Sequence, residues 1–225
     1  MKLIYEAGYI CCGCGKRTTK GNSFSVYKRS CLCNKCYNTI KKIPPKSSFT
    51  GTDYCDFVIS PFFYTDLYRD IFLKFKFNDC LAYGHLLGKA AAVYFDNFNE
   101  LTEYDGIIIV PLSKERLNER GFNQSEILGN YISTVLKIPV IKCAEKAFHT
   151  KTQSKLKGLE RINNVKNSFR ITTPLTGKRI IVFDDIFTTG STVNELSKEI
   201  KNAGATSVCA VTAGYVYHEL KPQLY

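Results

Sequence analysis

The sequence predicts an α/β domain built on a mostly parallel sheet, preceded by a small cysteine-stapled module. Three observations carry that expectation. Two C-x2-C pairs, Cys11–Cys14 and Cys33–Cys36, are separated by eighteen residues near the N-terminus. In the second half of the chain, short continuous apolar runs alternate with segments of helical periodicity. One of those runs, Ile180–Phe183, leads directly into Asp184-Asp185-Ile-Phe-Thr-Thr-Gly-Ser-Thr192.

Composition sets the outer bounds. A chain of 225 residues with 44% hydrophobic and 23% charged side chains has ample material for a buried core, which excludes wholesale disorder. The longest apolar runs, such as Ile107–Leu112, fall far short of the ~18 residues of a membrane span. The opening ten residues are too few for a signal peptide's apolar region and include Glu6, so a cytoplasmic protein is expected. The net charge of +11 is unevenly spread: +9 over residues 1–50, +7 over residues 137–171, and −5 over the remainder. Basic blocks of this kind suit polyanions such as phosphates or nucleic acid, although a lysine-rich solvated surface has the same composition.

Six of the ten cysteines fall within the first 36 residues. Two thiolates three residues apart can share one metal from a tight turn, and two such turns complete a tetrahedron, so the spacing reads as a structural zinc site. Cys12 and Cys31 offer alternative registers, but their spacings suit tetrahedral turns less well. The expected ligands are Cys11, Cys14, Cys33 and Cys36. Gly15 follows the first pair, where a turn often requires positive φ. A segment this polar also needs a staple to fold. Cys55, Cys80, Cys143 and Cys209 lie among apolar residues and read as small buried hydrophobes.

Ile43-Pro-Pro-Lys-Ser-Ser48 looks like a linker, which places a ribbon over residues 1–46 and a second domain over residues 47–225. Cys55–Tyr64 reads as β-rich and broken by Pro61. Leu67, Ile71, Phe72 and Phe75 recur at helical spacing over Asp66–Phe77, and a second helix is expected over Leu81–Phe98. Strands are expected at Gly106–Val110, Arg179–Phe183 and Ser207–Ala213, with helices at Ser125–Leu136 and Thr192–Ala203. Strand–helix–strand order implies right-handed crossovers, and ligands of such sheets bind beyond the C-terminal strand ends.

The chemistry concentrates at Ile180–Thr192. A buried strand leads to two adjacent carboxylates, a hydroxyl-rich turn around Gly190 follows, and a helix begins where the turn ends. Backbone N–H groups at such a turn and helix start favour an anion. Thr188, Thr189, Ser191 and Thr192 add hydroxyl donors, and Gly190 permits close backbone approach. A phosphate beside two carboxylates makes sense when the ligand also offers hydroxyls, as a sugar phosphate does.

This thirteen-residue stretch closely resembles the 5-phosphoribosyl-1-diphosphate (PRPP) signature of type I phosphoribosyltransferases. Val110-Pro-Leu-Ser-Lys-Glu-Arg-Leu-Asn-Glu-Arg-Gly-Phe-Asn-Gln124 resembles the "VPL…R…RGFNQ" block of the ComF family, competence-associated proteins that fuse a zinc ribbon to a phosphoribosyltransferase domain. Thr150, Gln153 and Leu156, followed by Arg161, Asn164-Val165 and Phe169, resemble a further block of that family. The resemblance covers essentially the whole chain, ribbon included.

The resemblance implies a type I phosphoribosyltransferase fold with a mostly parallel sheet behind the ribbon. It implies that Asp184 and Asp185 are the catalytic pair and hold the ribose hydroxyls. It also implies that Thr188, Thr189, Gly190, Ser191 and Thr192 cradle the 5-phosphate, and that Mg²⁺ accompanies the diphosphate. By position, Leu112–Arg116 is the candidate diphosphate loop. Lys114 and Arg116 there are either phosphate ligands or solvated loop charges, and Arg120 is either structural or ligand-facing. Residues 143–170 correspond to a lid over the site. His149 in that lid reads as solvated rather than catalytic.

Two functions follow from the resemblance. The first is a competence protein that binds PRPP, handles single-stranded DNA during natural transformation and works with a helicase-like ATPase. Tyr9, Phe24, Tyr27 and Tyr37 in the ribbon are then either base-stacking platforms or its small core. The alternative is a housekeeping phosphoribosyltransferase with an unidentified acceptor. The N-terminus carries no catalytic cysteine for glutamine hydrolysis, so an amidotransferase role is not expected of this chain alone.

Overall fold

The computed structural model describes residues 8–27, 30–77, 81–95, 98–146 and 167–216. The N-terminal module is a four-stranded sheet of β1 (Tyr9–Cys11), β2 (Arg17–Thr18), β3 (Ser23–Tyr27) and β4 (Ser30–Cys33) in the order β2-β1-β4-β3, followed by α1 (Asn34–Thr39). Its two turns come from the cysteine pairs. Gly15 donates its N–H to the Cys11 carbonyl at 2.9 Å and adopts φ 72, the left-handed geometry expected of it. Cys33 caps α1 by accepting from the Cys36 N–H.

The main sheet has five strands: β5 (Phe49–Thr50), β6 (Phe57–Ile59), β7 (Gly106–Ile109), β10 (Arg179–Phe187) and β11 (Ser207–Tyr215), in the order β5-β6-β11-β10-β7. Only the β5–β6 pair is antiparallel. The inner strands are apolar on both faces because both faces are covered. Ile107, Ile181, Phe183, Cys209 and Val211 face a core shared with α2 (Asp66–Phe77), α3 (Leu81–Phe95) and α5 (Gln124–Leu136). Ile108, Ile180, Val182, Val208 and Ala210 face the opposite core, which α6 (Ser191–Asn202) closes with Val193, Leu196 and Ile200. A two-stranded ribbon, β8 (Ala144–Lys146) with β9 (Phe169–Ile171), brackets residues 147–166.

The expected elements appear with shifted ends. The longest shift matters most: β10 does not stop at Phe183 but continues through both aspartates to Phe187. Its neighbour β11 supplies the reason, since it pairs onward from Asp184↔Thr212 to Phe187↔Tyr215. On the other side β7 ends opposite Phe183, where the Val110 N–H bonds the Phe183 carbonyl at 2.9 Å. The acid pair is thus held by a strand on one side and open on the other. The second expected helix spans Leu81–Phe95, and Phe98, expected as its last residue, is non-helical and precedes a 3-10 turn. Residues expected to form a diphosphate loop partly fold instead into α4 (Lys114–Arg120), capped by the Ser113 hydroxyl accepting from the Arg116 N–H.

The ribbon packs directly on the main body. β3 and β4 lie against α3, and Cys12, Cys31, Leu32 and Ile40 join the same core as Phe72 and Phe75. A Cβ on Gly13 would meet Cys36 Sγ at 3.0 Å and Leu67 Cδ1 at 3.4 Å, so the first cysteine turn is pressed between its own site and α2. Cys55, Cys143 and Cys209 are buried as expected, while Cys80 lies outside the described residues. Among the described residues no helix is long and apolar enough to cross a membrane.

Candidate functional site

Two clusters carry chemistry. The first is the cysteine site. The thiol sulfurs of Cys11, Cys14, Cys33 and Cys36 all lie within 4.8 Å of one another. Sulfurs on a tetrahedron of ~2.3 Å metal bonds would sit about 3.8 Å apart, so the four fit one metal after a small contraction. The spacing argument therefore selected the set that converges. Cys12 and Cys31 are buried in the shared core instead. Backbone N–H groups point at the sulfurs: Cys33 N–H to Cys11 Sγ at 3.3 Å, and Cys36 N–H to Cys33 Sγ at 3.5 Å. Burial raises the Cys11 thiol, but the N–H groups of Cys33, Cys14 and Gly13 outweigh it and bring the group down to about 7. Cys12, buried and beside Cys11, is pushed up to about 12.

Among the described residues, Tyr9, Phe24 and Tyr37 of the ribbon take part in packing. Phe24 and Tyr37 stack on each other with centroids 3.5 Å apart, and the Lys42 ammonium lies 4.1 Å from the Tyr37 ring centre. Tyr9 also packs on the core. Phe24 and Tyr37 thus each give a ring face to the ribbon's small core; the Tyr27 side chain lies outside the described residues. Lys16, Arg17, Lys20 and Lys35 are exposed on this module.

The second cluster is built where β10 outruns β7. Asp184 accepts from the Asp185 N–H at 2.8 Å and from the Ser125 hydroxyl at 3.3 Å, both at Oδ1. Asp185 Oδ1 accepts from the Ile186 N–H at 2.7 Å, and its Oδ2 lies 3.7 Å from the Lys76 ammonium of α2. Each acid therefore spends one oxygen on local donors. Burial and then the Asp185 charge push the Asp184 carboxyl up to about 7, against the pull of the Asp185 N–H, Lys76 and Ser125.

The turn that follows is shaped as its sequence suggests. Gly190 is left-handed at φ 75, and a Cβ there would sit 2.7 Å from the Phe187 ring and 3.0 Å from Thr52 Cγ2. Glycine is thus required twice over, by backbone angle and by space. The Thr189 and Ser191 hydroxyls are 2.8 Å apart, and Thr188 and Thr189 are exposed. Gly190 starts α6 and has no side chain to cap it; the Ser191 N–H instead meets Thr189 Oγ1 at 3.5 Å. The β5–β6 connection braces this corner, with the Tyr54 N–H donating to Asn194 Oδ1 at 3.2 Å.

The block around "RGFNQ" is largely a helix-to-helix corner. Gly121 closes α4 in the left-handed region at φ 70. Asn123 caps α5 by accepting from the Ser125 N–H at 3.1 Å, while its amide donates to the Val110 carbonyl at 3.2 Å. Arg120 donates to Gln124 Oε1 at 3.3 Å; burial and the neighbouring Arg116 pull it down while Asp185 pulls it up. It is both structural and within the field of the acids. Lys114 and Arg116 are exposed on α4. Lys146, on β8, lies 5.2 Å from the Phe169 ring centre; burial and Arg116 lower it and Asp184 raises it. Arg116 thus shares this charged neighbourhood. His149, Thr150, Gln153, Leu156 and most of the expected lid lie outside the described residues.

Sequence reasoning missed Lys76, Lys146 and Ser125. Ser125 directly follows a recognised block and was within reach of it. Lys76 sits in a helix whose pattern signals only packing, so nothing in the sequence marks it.

No family model matches the chain. The chain is similar to competence protein ComFC of Streptococcus pneumoniae, with 29% identity over 197 residues covering 80% of this chain and 85% of that protein. It is 35% identical over 108 residues to competence protein F of Haemophilus influenzae, and 37% identical over 105 residues to DNA utilization protein YhgH of Escherichia coli. Those matches cover 46% of this chain, and 47% and 46% of the relatives' own lengths. A purine phosphoribosyltransferase from Pyrococcus horikoshii matches 62% of this chain and 78% of its own at 21% identity and a TM-score of 0.38. The expected fold class, a mostly parallel α/β domain behind a cysteine ribbon, is borne out. The named relatives likewise bear out the resemblance to the ComF family.

The raised Asp184 carboxyl makes a prediction about stability. The folded chain binds that proton more tightly than the unfolded one, whose aspartates titrate near ~3.9. Its stabilising contribution is full below about pH 4 and lost as pH rises through about 7. Asp184→Asn removes this penalty while keeping an oxygen acceptor. Denaturant titrations should show the variant gaining on the parent between pH 4 and 7, reaching on the order of 4 kcal/mol at pH 8. No gain at pH 8 would contradict the assignment.

Proposed function

We propose that this chain is a PRPP-binding, ComF-type competence protein that handles single-stranded DNA in the cytoplasm during natural transformation, alongside a helicase-like ATPase. Residues 1–46 are the ribbon and residues 47–225 the phosphoribosyltransferase-like domain. The observation that carries the reading is the acid pair on the open side of β10, running straight into the Thr188–Thr192 turn and the start of α6. Asp184 and Asp185 accept from the ribose hydroxyls. The hydroxyls of Thr188, Thr189, Ser191 and Thr192, with the N–H groups around Gly190, take the 5-phosphate. Lys114 and Arg116 meet the diphosphate, and Mg²⁺ bound to that diphosphate disperses its charge. The names of the relatives, competence and DNA utilization proteins, support the cellular role. In this reading PRPP is either a substrate or a regulatory ligand; the alternative is a housekeeping transferase with an unidentified acceptor, and diphosphate release with and without single-stranded DNA distinguishes the two.

Calorimetry with Mg²⁺ and PRPP tests the site. Asp185→Asn should weaken binding by about 10–150-fold, the worth of a charge-assisted hydrogen bond of ~1.5–3 kcal/mol. Unchanged affinity in a folded variant would remove the sugar-phosphate reading.

Zn²⁺ fits the four converging thiols and, when bound, supplies cross-links that a polar module of this size lacks. Elemental analysis should find one zinc per chain, and a Cys33→Ser/Cys36→Ser variant should lose it. Full zinc content in that variant would refute the ligand set.

Strand binding rests on the exposed Lys16, Arg17, Lys20 and Lys35. Truncating the ribbon would uncover the core it shares with α2 and α3, so neutralising these four to glutamine is the cleaner change. In fluorescence anisotropy the logarithm of affinity for single-stranded DNA should fall with that of salt. The variant's slope should be shallower by ~0.7 for each phosphate that its side chains no longer neutralise. Equal slopes would place the strand elsewhere, and no binding by the parent at low salt would favour the housekeeping transferase.

A further inference from the structure

Among the described residues, the acid pair draws a cation from an element that none of the recognised motifs includes. Lys76 stands in the last turn of α2, a helix otherwise committed to packing through Tyr68, Ile71, Phe72 and Phe75. Its ammonium lies 3.7 Å from Asp185 Oδ2, and the two side chains retain 27% and 16% of their exposure. The separation exceeds the ~2.7–2.9 Å of a tight charge-assisted hydrogen bond. The outer oxygen of Asp185 therefore remains able to accept from a hydroxyl while standing opposite a positive charge.

The groups facing the pair come from several elements besides β10 itself. Lys76 and Tyr68 come from α2 and Tyr64 from the turn before it. Arg120 comes from α4, Ser125 from α5 and Lys146 from β8, and Arg116 of α4 acts on Arg120 and Lys146. Lys76 stands in an ion pair with Asp185. Its position is fixed independently of the turn, because Tyr68 of the same helix donates its hydroxyl to the Ala213 carbonyl at 2.6 Å and so ties α2 to β11.

We propose that Lys76 is a positioning residue of the sugar-phosphate site: its ammonium is the counter-charge that lets the two adjacent carboxylates accept a ligand's vicinal hydroxyls together at neutral pH. This role rests on the sugar-phosphate reading of the site. Two carboxylates side by side repel one another, and with one of them buried the pair takes up a proton readily. A protonated acid donates where the diol also donates, so the site then loses an acceptor. An opposite charge about 4 Å away favours the doubly ionised pair, and a lysine on a packed helix supplies it without occupying the phosphate turn.

The test compares the parent with Lys76→Met, which keeps the aliphatic stem, and Lys76→Arg, which keeps the charge. Affinity for PRPP with Mg²⁺ is measured by calorimetry from about pH 5.5 to about pH 9.5, and the side-chain carboxyl carbons are followed by NMR in the unliganded chain. Removing a cation at this distance shifts a carboxylate's titration upward by about one unit or more. The midpoint of the affinity profile should therefore move about one unit alkaline in Lys76→Met. Affinity should drop about fivefold at pH 7 and recover toward the parent at high pH, with Lys76→Arg restoring the profile. The carboxyl signals of the pair should move in parallel. A uniform loss of affinity at every pH, or an unmoved carboxyl titration, would overturn the role. If the parent binds no PRPP, the sugar-phosphate reading fails with it, and the carboxyl titration alone then reports whether Lys76 governs the charge of the pair.

Discussion

The arrangement depends on placing two adjacent carboxylates at the end of a strand buried on both faces. β10 is sandwiched between β11 and β7 and between two cores, and its apolar run fixes it there. Carrying Asp184 and Asp185 on that strand costs desolvation, seen in the upward shift of Asp184. The cost is limited because β7 stops one residue short of the acids and local donors take one oxygen of each. What remains faces outward beside the Gly190 turn. The same early end of β7 sends the chain through Pro111–Ser113 into α4, which brings Arg120 into the field of Asp185.

The ribbon is part of the same construction. Its buried residues Cys12, Cys31 and Leu32 lie in the core that also holds Phe72 and Phe75. α2 is the shared element, with Leu67 close to the first cysteine turn and Lys76 at the acid pair. The order of the chain thus hides a spatial relation, in which a single helix touches both the cysteine site and the candidate ligand site.

Much of this is legible in the sequence because it rests on local rules. Cysteine spacing selects the four sulfurs that converge, since two turns three residues apart constrain one another geometrically. Apolar runs mark the buried strands, and the turn chemistry around Gly190 marks the start of α6. The true end of β10 is hidden because charge usually ends a strand, whereas pairing with β11 carries this one onward. The loop at 112–116 is only partly a loop because Ser113 nucleates a short helix through its cap. Lys76 is invisible because a lysine in a packing helix has no sequence signature; only the fold brings it across to Asp185.

The central claim is that the acid pair and the turn after it form one sugar-phosphate site. Backbone amide and carboxyl NMR of the labelled, zinc-loaded chain, titrated with PRPP and Mg²⁺, tests it most directly. The account predicts saturable shifts concentrated at the amides of residues 188–192 and at the Asp184 and Asp185 carboxyls, with smaller shifts at Lys76. Saturable shifts confined to other surfaces, or none at millimolar ligand, would contradict it.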